Sequence, residues 1–412
     1  MTDISFEAQM LHTPYEKPDA YNALSMPIYQ SVAYEFETAT AMEDAFCART
    51  TDHTYSRITN PTVQYFENRV RKASGANNVT AVNSGMAAIS NTFFTLAYAG
   101  ANIVTSPHLF GNTYAFFKNT LTGFDVDIRF CDLTNLDEVR SKVDDKTCGI
   151  FLEVITNPQM EVADLKALAA IAHATGAPLI ADTTIIPFSA FHANNFGVDI
   201  EVISSTKYIS GGATGLGGLI LDYGTFNWSH HKILKMWQGP LGTEAFTTRM
   251  RREIHRNIGA YMIPQAAYMQ TLGLETLDLR FRRQASTTLE LAKRLESLEG
   301  IVSVNYTGLE NNPFYAISKE QFGDLPGAML TFDLASREAC FSLIDHVKLI
   351  RRATNLFDNK SLIIHPASTI YGTFPESVRK SMHLKQETIR LSVGLESTDD
   401  LYNDISQAIK AS

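Results

Sequence analysis

The stretch from Pro178 to Tyr208 decides the fold: it opens with Pro178-Leu-Ile-Ala-Asp182 and closes with Asp199-Ile-Glu-Val-Ile-Ser-Ser-Thr-Lys-Tyr208. Both segments begin with a short apolar run of the length of a strand, and both runs are followed by polar side chains. We therefore predict two strands, with Asp182 at the end of the first and Lys207 just beyond the second.

Similar runs occur on either side of this stretch, and helical segments separate them. Strands that alternate with helices predict an α/β fold with a mainly parallel sheet and helices on both of its faces. Ligands of such sheets bind beyond the carboxyl ends of the strands, where Asp182 and Lys207 are expected. The other predicted strands of this sheet are Val79–Val82, Asn102–Thr105, Gly149–Glu153 and Leu216–Leu221.

The pattern divides the chain of 412 residues into three regions. Residues 1–60 are irregular but contain too many apolar side chains for a disordered tail, so we expect an arm that contacts a neighbouring subunit. Residues 61–250 form the large sheet domain, and residues 251–412 a smaller C-terminal α+β domain. Its predicted strands are Val302–Tyr306, Gly327–Phe332 and Thr388–Val393.

Composition excludes several classes of protein. A formal net charge of −9 argues against a nucleic-acid partner, which requires a basic surface. The four cysteines lie far apart, so neither a disulfide framework nor a metal-ligand spacing is present. No signal peptide and no apolar run long enough to span a membrane are visible. We expect a cytoplasmic protein that contacts neither membranes nor nucleic acid.

Asp182 and Lys207 together suit a cofactor that carries an aldehyde and a basic ring nitrogen. A lysine amine forms a Schiff base with an aldehyde. A carboxylate favours the protonated form of a nearby ring nitrogen, and the protonated ring stabilises a carbanion. Either residue alone is a weak signal, because a lysine that follows a strand is usually a solvated surface residue.

Two further segments indicate a phosphate rather than a nucleotide. The glycine-rich turn from Gly211 to Gly218 lacks a complete G-x-G-x-x-G and the G-K-[ST] of a P-loop. In contrast, Ser84-Gly85-Met86 opens a helix after a strand, where backbone N–H groups bind anions, although an ordinary helix cap at Ser84 is an equal alternative. Ser204 and Thr206 add hydroxyl groups.

Taken together, these segments resemble the Cys/Met-metabolism family of pyridoxal 5′-phosphate (PLP) enzymes, which includes cystathionine γ-synthase, cystathionine and methionine lyases, and O-acyl-homoserine sulfhydrylases. The resemblance covers nearly the whole chain. It implies a PLP-dependent transferase-like fold of the aspartate aminotransferase type (fold type I). The matching pieces, in order, are Tyr55–Thr62, Ser84–Met86, Leu109–Thr113, Glu153 with Asn157-Pro158, Ala181–Thr184, Ser204–Tyr208, His365–Ser368 and Arg390–Glu396.

The resemblance also implies a role for each matching residue. Catalytic roles fall to Lys207, which would hold PLP covalently, to Asp182, which would pair with its ring nitrogen, and to Tyr55. Tyr55 and Arg57 resemble a pair that reaches the phosphate from the neighbouring subunit, so the family's shared site implies a homo-oligomer, commonly a dimer of dimers. The other implied cofactor-binding residues are Ser84, Gly85, Met86, Phe110, Asn157, Thr184, Ser204 and Thr206, and the substrate-binding residues are Asn355 and Arg390.

Four positions depart from the family pattern. Phe110 stands where a tyrosine usually stacks over the cofactor, so the stacking face is kept and the hydroxyl is lost. Thr183, Asn355 and Gly212 replace an asparagine, a serine and a histidine, respectively. The missing tyrosine hydroxyl leaves the reaction subclass open.

The leading hypothesis is γ-replacement on an O-acyl-L-homoserine, with O-acetylhomoserine as the expected substrate and sulfide or a thiol as the sulfur donor. The products would be homocysteine or methionine and a carboxylate. The resemblance is closest to the O-acetylhomoserine sulfhydrylase branch. A methionine or cystathionine γ-lyase, which releases 2-oxobutanoate and ammonia, is the alternative in the same class. A PLP-binding protein without catalytic activity is the alternative from another class.

Overall fold

The computed structural model describes residues 5–14, 19–237 and 242–411. The predicted arm, residues 1–60, is described in part, since residues 1–4 and 15–18 lie outside these ranges. Within the described part of the chain, no helix has the length and apolar character that crossing a membrane requires.

A seven-stranded sheet forms the centre of the larger part of the chain. Its spatial order is β1-β7-β6-β5-β4-β2-β3. The four pairs from β6 to β3 are parallel, whereas β7 pairs antiparallel with both β6 and β1. The strands are β1 (Asn78–Val82), β2 (Asn102–Thr105), β3 (Asp127–Phe130), β4 (Thr147–Glu153), β5 (Leu179–Asp182), β6 (Ile200–Ile203) and β7 (Gly218–Asp222).

A second, five-stranded sheet lies in the C-terminal part, with the order β10-β11-β12-β9-β8. Only its outermost pair, β10 with β11, is parallel among the described pairs. The strands are β8 (Ser303–Asn305), β9 (Met329–Asp333), β10 (Arg351–Arg352), β11 (Leu362–Ile364) and β12 (Thr388–Ser392).

The helices precede, connect and follow the strands. They are α1 (Phe6–His12), α2 (Ala39–Phe46), α3 (Pro61–Ser74), α4 (Gly85–Leu96), α5 (Gly111–Ala115), α6 (Leu136–Lys142), α7 (Leu165–Ala174), α8 (Ala245–Arg249), α9 (Arg256–Ile258), α10 (Pro264–Glu275), α11 (Leu277–Leu295), α12 (Tyr315–Phe322), α13 (Arg337–His346), α14 (Glu376–Ser381) and α15 (Thr398–Lys410).

The large sheet is buried on both faces, which explains the unbroken apolar runs that predicted it. Side chains alternate between two hydrophobic clusters along β4: Ile150 and Leu152 belong to one, and Phe151 belongs to the other. The cluster around Leu152 continues into the smaller sheet through Met329 and Ile389. The two sheets therefore share one continuous apolar core.

Local signals fix the boundaries of α3. The Asn60 side chain accepts hydrogen bonds from the backbone N–H groups of Thr62 and Val63, and Pro61 occupies the first helical position. Gly75 ends the helix at φ +73°, a left-handed conformation that glycine adopts without steric penalty. This is the helix that the sequence predicts from Pro61.

The prediction of a mainly parallel sheet with a smaller α+β domain is confirmed, and each predicted strand appears with its ends shifted by no more than two residues. The sequence analysis missed β3, a partly exposed edge strand in which charged and apolar residues alternate, and the short strands β10 and β11. The domain limits at residues 60 and 250 stay a prediction.

Candidate active site

A cavity of about 990 Å³ opens beyond the carboxyl ends of β4, β5 and β6, where parallel sheets bind ligands. The sequence analysis gave a catalytic, cofactor-binding or substrate-binding role to fourteen residues, and twelve of them line this cavity. They are Ser84, Gly85, Met86, Phe110, Asn157, Asp182, Thr184, Ser204, Thr206, Lys207, Asn355 and Arg390.

Lys207 lies in the turn that follows β6, and its side chain is largely buried. Its Nζ donates a hydrogen bond to Oδ1 of Asn355 at 2.8 Å. Burial and the positive charge of Arg390 lower the pKa of the Lys207 amine to about 8, although Asp182 acts in the opposite direction. At the same pH, a larger fraction of the Lys207 amine is therefore neutral than of the amine of a solvated lysine. The neutral amine is the form that can attack an aldehyde.

Asp182 ends β5, beside Glu153 at the end of β4 in register. Its Oδ1 accepts a hydrogen bond from the backbone N–H of Thr184 at 2.9 Å. Burial raises the pKa of Asp182, which the Thr184 hydrogen bonds and the nearby Lys207 partly offset. Burial disfavours the charged form of the Asp182 carboxylate. A protonated ring nitrogen beside Asp182 would stabilise this charged form.

A buried network behind Asp182 was missed in the sequence analysis. Glu201 accepts hydrogen bonds from the hydroxyl groups of Thr183 and Tyr223. Burial raises the pKa of Glu201 to about 7, with a smaller contribution from Asp182. The threonine that departs from the family pattern at position 183 is thus a hydrogen-bond donor to Glu201. No spacing in the sequence connects residues 183, 201 and 223.

The opposite end of the cavity has the features of a phosphate site. The Ser84 hydroxyl caps α4 by accepting a hydrogen bond from the Ala87 N–H at 3.1 Å, so the predicted helix cap is present. Gly85 allows a close approach, because a Cβ at this position would lie 2.7 Å from Cβ of Ser204. The start of α4 and the Ser204 hydroxyl consequently meet at one place, where the helix favours an anion.

These observations match the chemistry of PLP at both ends. The Lys207 amine would hold its aldehyde, the Asp182 carboxylate would pair with its ring nitrogen, and the start of α4 would receive its phosphate. Phe110, which is 36% exposed, presents an aromatic ring to the cavity between these ends. The residues present therefore fit the cofactor.

Arg390 lies on β12 of the smaller sheet and is 2% exposed. Its Nη1 donates to Oδ1 of Asn157 at 3.2 Å, and its Nη2 donates to the backbone carbonyl of Thr354 at 3.3 Å. Burial lowers the pKa of Arg390 to about 10. The Nε atom has no hydrogen-bond partner among the described residues. A buried guanidinium without a carboxylate partner is suited to bind the carboxylate of a ligand.

We expect Arg390→Lys to lower kcat/KM for an amino-acid substrate about a hundredfold, or about 2.7 kcal/mol, because an ammonium cannot form a two-pronged contact with a carboxylate. Steady-state kinetics on the PLP-loaded enzyme will measure the loss, and PLP binding should be unchanged. Arg352→Lys, on the exposed strand β10, is the matched control. A loss of less than threefold in Arg390→Lys would exclude this role.

Glu153 and Tyr371 hold the loops around the cavity, and the sequence analysis gave neither of them a role. Glu153 Oε1 accepts a hydrogen bond from the backbone N–H of Phe110 at 2.5 Å. Burial and the neighbouring Asp182 raise the pKa of Glu153 to about 8. The Tyr371 hydroxyl donates to the backbone carbonyls of Leu109 and Asn157, at 3.0 and 2.8 Å. Glu153 thereby holds the backbone at Phe110, and Tyr371 holds the backbone at Asn157.

Tyr55 and Arg57 lie outside the lining of the cavity that contains Lys207. The Arg57 guanidinium lies 5.4 Å from the ring centroid of Tyr55 and donates a hydrogen bond to the backbone carbonyl of Arg256. Arg57 lines a second, polar cavity of about 450 Å³. Among the described residues that line the Lys207 cavity, neither member of the pair is present. Their predicted role, which requires a neighbouring subunit, stays a prediction.

The comparison with protein families settles the class of this site. The model of the family described as Cys/Met metabolism PLP-dependent enzymes matches residues 7–410. The chain belongs to this family. Its cofactor is therefore PLP, and the predicted recognition is confirmed.

Curated relatives cover nearly the full length of the chain. A sulfhydrylase of Fusarium oxysporum is 36% identical over 98% of this chain and 97% of its own. The O-acetyl-L-homoserine sulfhydrylase of Corynebacterium glutamicum is 34% identical with the same coverage. The L-methionine gamma-lyase of Fusobacterium nucleatum is 32% identical over 95% of this chain and 94% of its own. Both predicted reaction classes thus occur among the relatives.

Solved structures confirm fold type I. A putative O-acetylhomoserine (thiol)-lyase from Campylobacter jejuni, which carries a pyridoxyl-lysine phosphate, is 32% identical with a TM-score of 0.91. The match covers 99% of this chain and all of that one. An O-acetylhomoserine sulfhydrylase from the methionine biosynthetic pathway of Wolinella succinogenes is 43% identical, with a TM-score of 0.77 over 86% of this chain and 98% of that one.

Proposed function

We propose that this enzyme catalyses γ-replacement on an O-acyl-L-homoserine, with O-acetyl-L-homoserine as the substrate and sulfide or a thiol as the sulfur donor. The products are homocysteine or methionine and a carboxylate. The observation that carries the proposal is the cavity that Lys207, Asp182 and Arg390 line together, with an amine, a carboxylate and a guanidinium. The similarity to sulfhydrylases over nearly the whole chain supports this reaction within the family.

When bound, PLP supplies an aldehyde for the substrate amine and a ring that accepts electron density from the substrate α-carbon. Asp182 keeps the ring nitrogen protonated, because an opposite charge stabilises the protonated form in a buried site. Arg390 binds the α-carboxylate and thereby orients the α-hydrogen. Lys207 lines the same cavity as Arg390, so its amine removes and returns protons at the α- and β-carbons.

Phe110 lines the cavity with a ring that is 36% exposed. A phenylalanine has no hydroxyl to protonate a leaving group. An acyl-oxygen leaving group departs as a stable carboxylate and needs no proton, whereas a thiolate leaving group is a stronger base. The residue at position 110 therefore favours O-acyl substrates over methionine or cystathionine.

The γ-lyase reaction is the second candidate, because a methionine gamma-lyase is among the full-length relatives. Two incubations of the pure PLP-loaded enzyme distinguish the two reactions. One contains O-acetyl-L-homoserine and sulfide, and the other contains L-methionine alone. We expect homocysteine in the first and no 2-oxobutanoate in the second. Consumption of methionine only, with release of 2-oxobutanoate, would replace the proposal by the γ-lyase.

We also propose that the active site is shared within a homo-oligomer, as a dimer or a dimer of dimers. Support comes from the position of Arg57 outside the Lys207 cavity of its own chain and from the exposed apolar side chains of the arm, such as Leu24 and Val32. In this arrangement, Tyr55 and Arg57 extend to the phosphate site of the neighbouring chain.

Mixing two inactive variants tests the shared site. We expect Arg57→Ala and Lys207→Ala to have little activity alone, and co-expression to restore about a quarter of the wild-type activity. Half of randomly assembled dimers are mixed, and each mixed dimer contains one intact site. Activity is measured in the total co-expressed pool, and affinity purification through a tag on one variant verifies that mixed dimers have formed. No recovery in the verified mixed dimer would place Arg57 and Lys207 in the site of the same chain, contrary to the proposal.

A cytoplasmic location is proposed as well. It is supported by the free thiols of Cys47, Cys131, Cys148 and Cys340, which suit a reducing compartment.

A further inference from the structure

Three side chains with metal-binding chemistry meet beside the active site, and no role in the proposed reaction uses them. His108 precedes α5, Glu161 lies between β4 and α7, and His383 follows α14. Each residue offers one ligand atom, and these atoms lie within 4.8 Å of one another. We call His108, Glu161 and His383 the imidazole–carboxylate cluster.

His108 is the buried member of the cluster, with an exposed fraction of 6%. Its Nδ1 lies 2.5 Å from Oε2 of Glu161, within hydrogen-bond distance. The other ring nitrogen, Nε2, is buried and has no hydrogen-bond partner in the described ranges. An ion held between His108 and Glu161 would bind Nδ1, the nitrogen that faces the carboxylate, and Nε2 would stay on the far side of the ring.

Hydrogen bonds hold the backbone around the imidazole–carboxylate cluster in place. The His108 N–H donates to the Ser106 hydroxyl at 3.0 Å, and the Glu161 N–H donates to the Thr156 hydroxyl at 2.9 Å. The Gln159 amide donates to the Met382 carbonyl at 2.7 Å, which ties the turn of His383 to the loop of Glu161. The imidazole rings of His108 and His383 are 5.1 Å apart at an angle of 62°. The three side chains therefore converge from segments that are themselves anchored.

We propose that the imidazole–carboxylate cluster binds a divalent transition-metal ion of the Zn²⁺ type. Two imidazoles and one carboxylate are a ligand set that such ions prefer, and water would complete a tetrahedral shell. Binding displaces the proton of the hydrogen bond between His108 and Glu161, and this proton passes to solvent. The inference is independent of the γ-replacement reaction, because no cluster residue lines the cavity that contains Lys207 in the described structure.

The cluster residues lie on segments that lead to active-site residues, so a bound ion would connect these segments to one another. His108 lies two residues before Phe110, and Glu161 follows Asn157 in the same connection. His383 precedes β12, the strand that carries Arg390. A metal ion would therefore link the segment before the substrate-binding strand to the loops that hold Phe110 and Asn157. It would act as a structural cross-link rather than as a catalytic ion.

Equilibrium dialysis of the PLP-loaded enzyme against Zn²⁺ tests the proposal, after treatment with a chelator and gel filtration. We expect one high-affinity Zn²⁺ per chain in the wild type, and at least a tenfold weaker affinity in His383→Gln and Glu161→Gln. His346→Gln, which removes an exposed histidine at the end of α13, is the matched control and should bind as the wild type does. Binding of Co²⁺ should give visible d–d absorption that His383→Gln loses.

His383 is the residue of choice for the variant, because it is exposed and its replacement preserves the fold, which circular dichroism will check. Undiminished Zn²⁺ affinity in a folded His383→Gln variant would overturn the proposal. The absence of stoichiometric binding by the wild type at micromolar Zn²⁺ would overturn it equally. Neither result affects the γ-replacement proposal, whose test uses product formation.

Discussion

Replacement of Lys207 by Ala is expected to lower turnover about 10³-fold or more and to leave the fold intact. In the proposed mechanism, the amine has two tasks, covalent attachment of the cofactor and proton transfer at the substrate, and alanine performs neither. The fold should survive, because the largely buried ammonium makes one hydrogen bond, to Asn355, and burial lowers its pKa, so its removal relieves a desolvation cost.

Borohydride reduction followed by peptide mapping measures the attachment directly. In the wild type, the reduced PLP should be found on the peptide that contains Lys207, and the variant should retain no covalent label. Lys319→Ala, in the exposed face of α12, is the matched control and should behave as the wild type does. Near-normal turnover in a folded Lys207→Ala variant would overturn the mechanism.

Asp182→Asn is expected to lower kcat about 10²–10³-fold, because the neutral amide no longer stabilises a protonated ring nitrogen. The side chain keeps its shape, and the amide oxygen can still accept the hydrogen bond from the Thr184 N–H. Kinetics at saturating PLP therefore separate the electrostatic effect from a loss of cofactor binding, which equilibrium dialysis quantifies.

The control for this substitution is Asp145→Asn, which makes the same chemical change on an exposed loop and should have no effect. If kcat in Asp182→Asn stays within threefold of the wild type, Asp182 does not determine the protonation of the ring. Glu153, whose carboxylate ends the neighbouring strand, would then be the next residue to test.

Much of the fold was predictable, because the strands of the large sheet are buried on both faces. Phe151 and Leu152 pack into different clusters, so the interior of β4 is a continuous apolar run and is recognisable as a strand. The site residues Asp182 and Lys207 follow from the same reasoning, since polar residues directly after such strands lie at the ligand-binding edge. The family motifs then gave expected roles to ten further lining residues, but none to Glu153.

The unpredicted parts depend on contacts between residues far apart in the chain. Glu201 lies within an apolar strand, and only the structure reveals its partners Thr183 and Tyr223. The ligand atoms of His108 and His383 meet although the residues are far apart in sequence, so no motif spacing could have indicated the imidazole–carboxylate cluster. The edge strand β3 lacks the apolar run that identified the other strands of its sheet, because its side chains are only partly buried.

Lys207 lies beside one sheet and Arg390 lies on the other, so a ligand that contacts both residues must have a matching length. Lys207 follows β6, and Arg390 lies on β12. In the proposed mechanism, the substrate amine binds the cofactor held at Lys207 and the substrate carboxylate binds Arg390, so the substrate would extend between the two sheets. The relative position of the sheets would then contribute to the selection of an amino acid, before any contact with the side chain of the substrate is made.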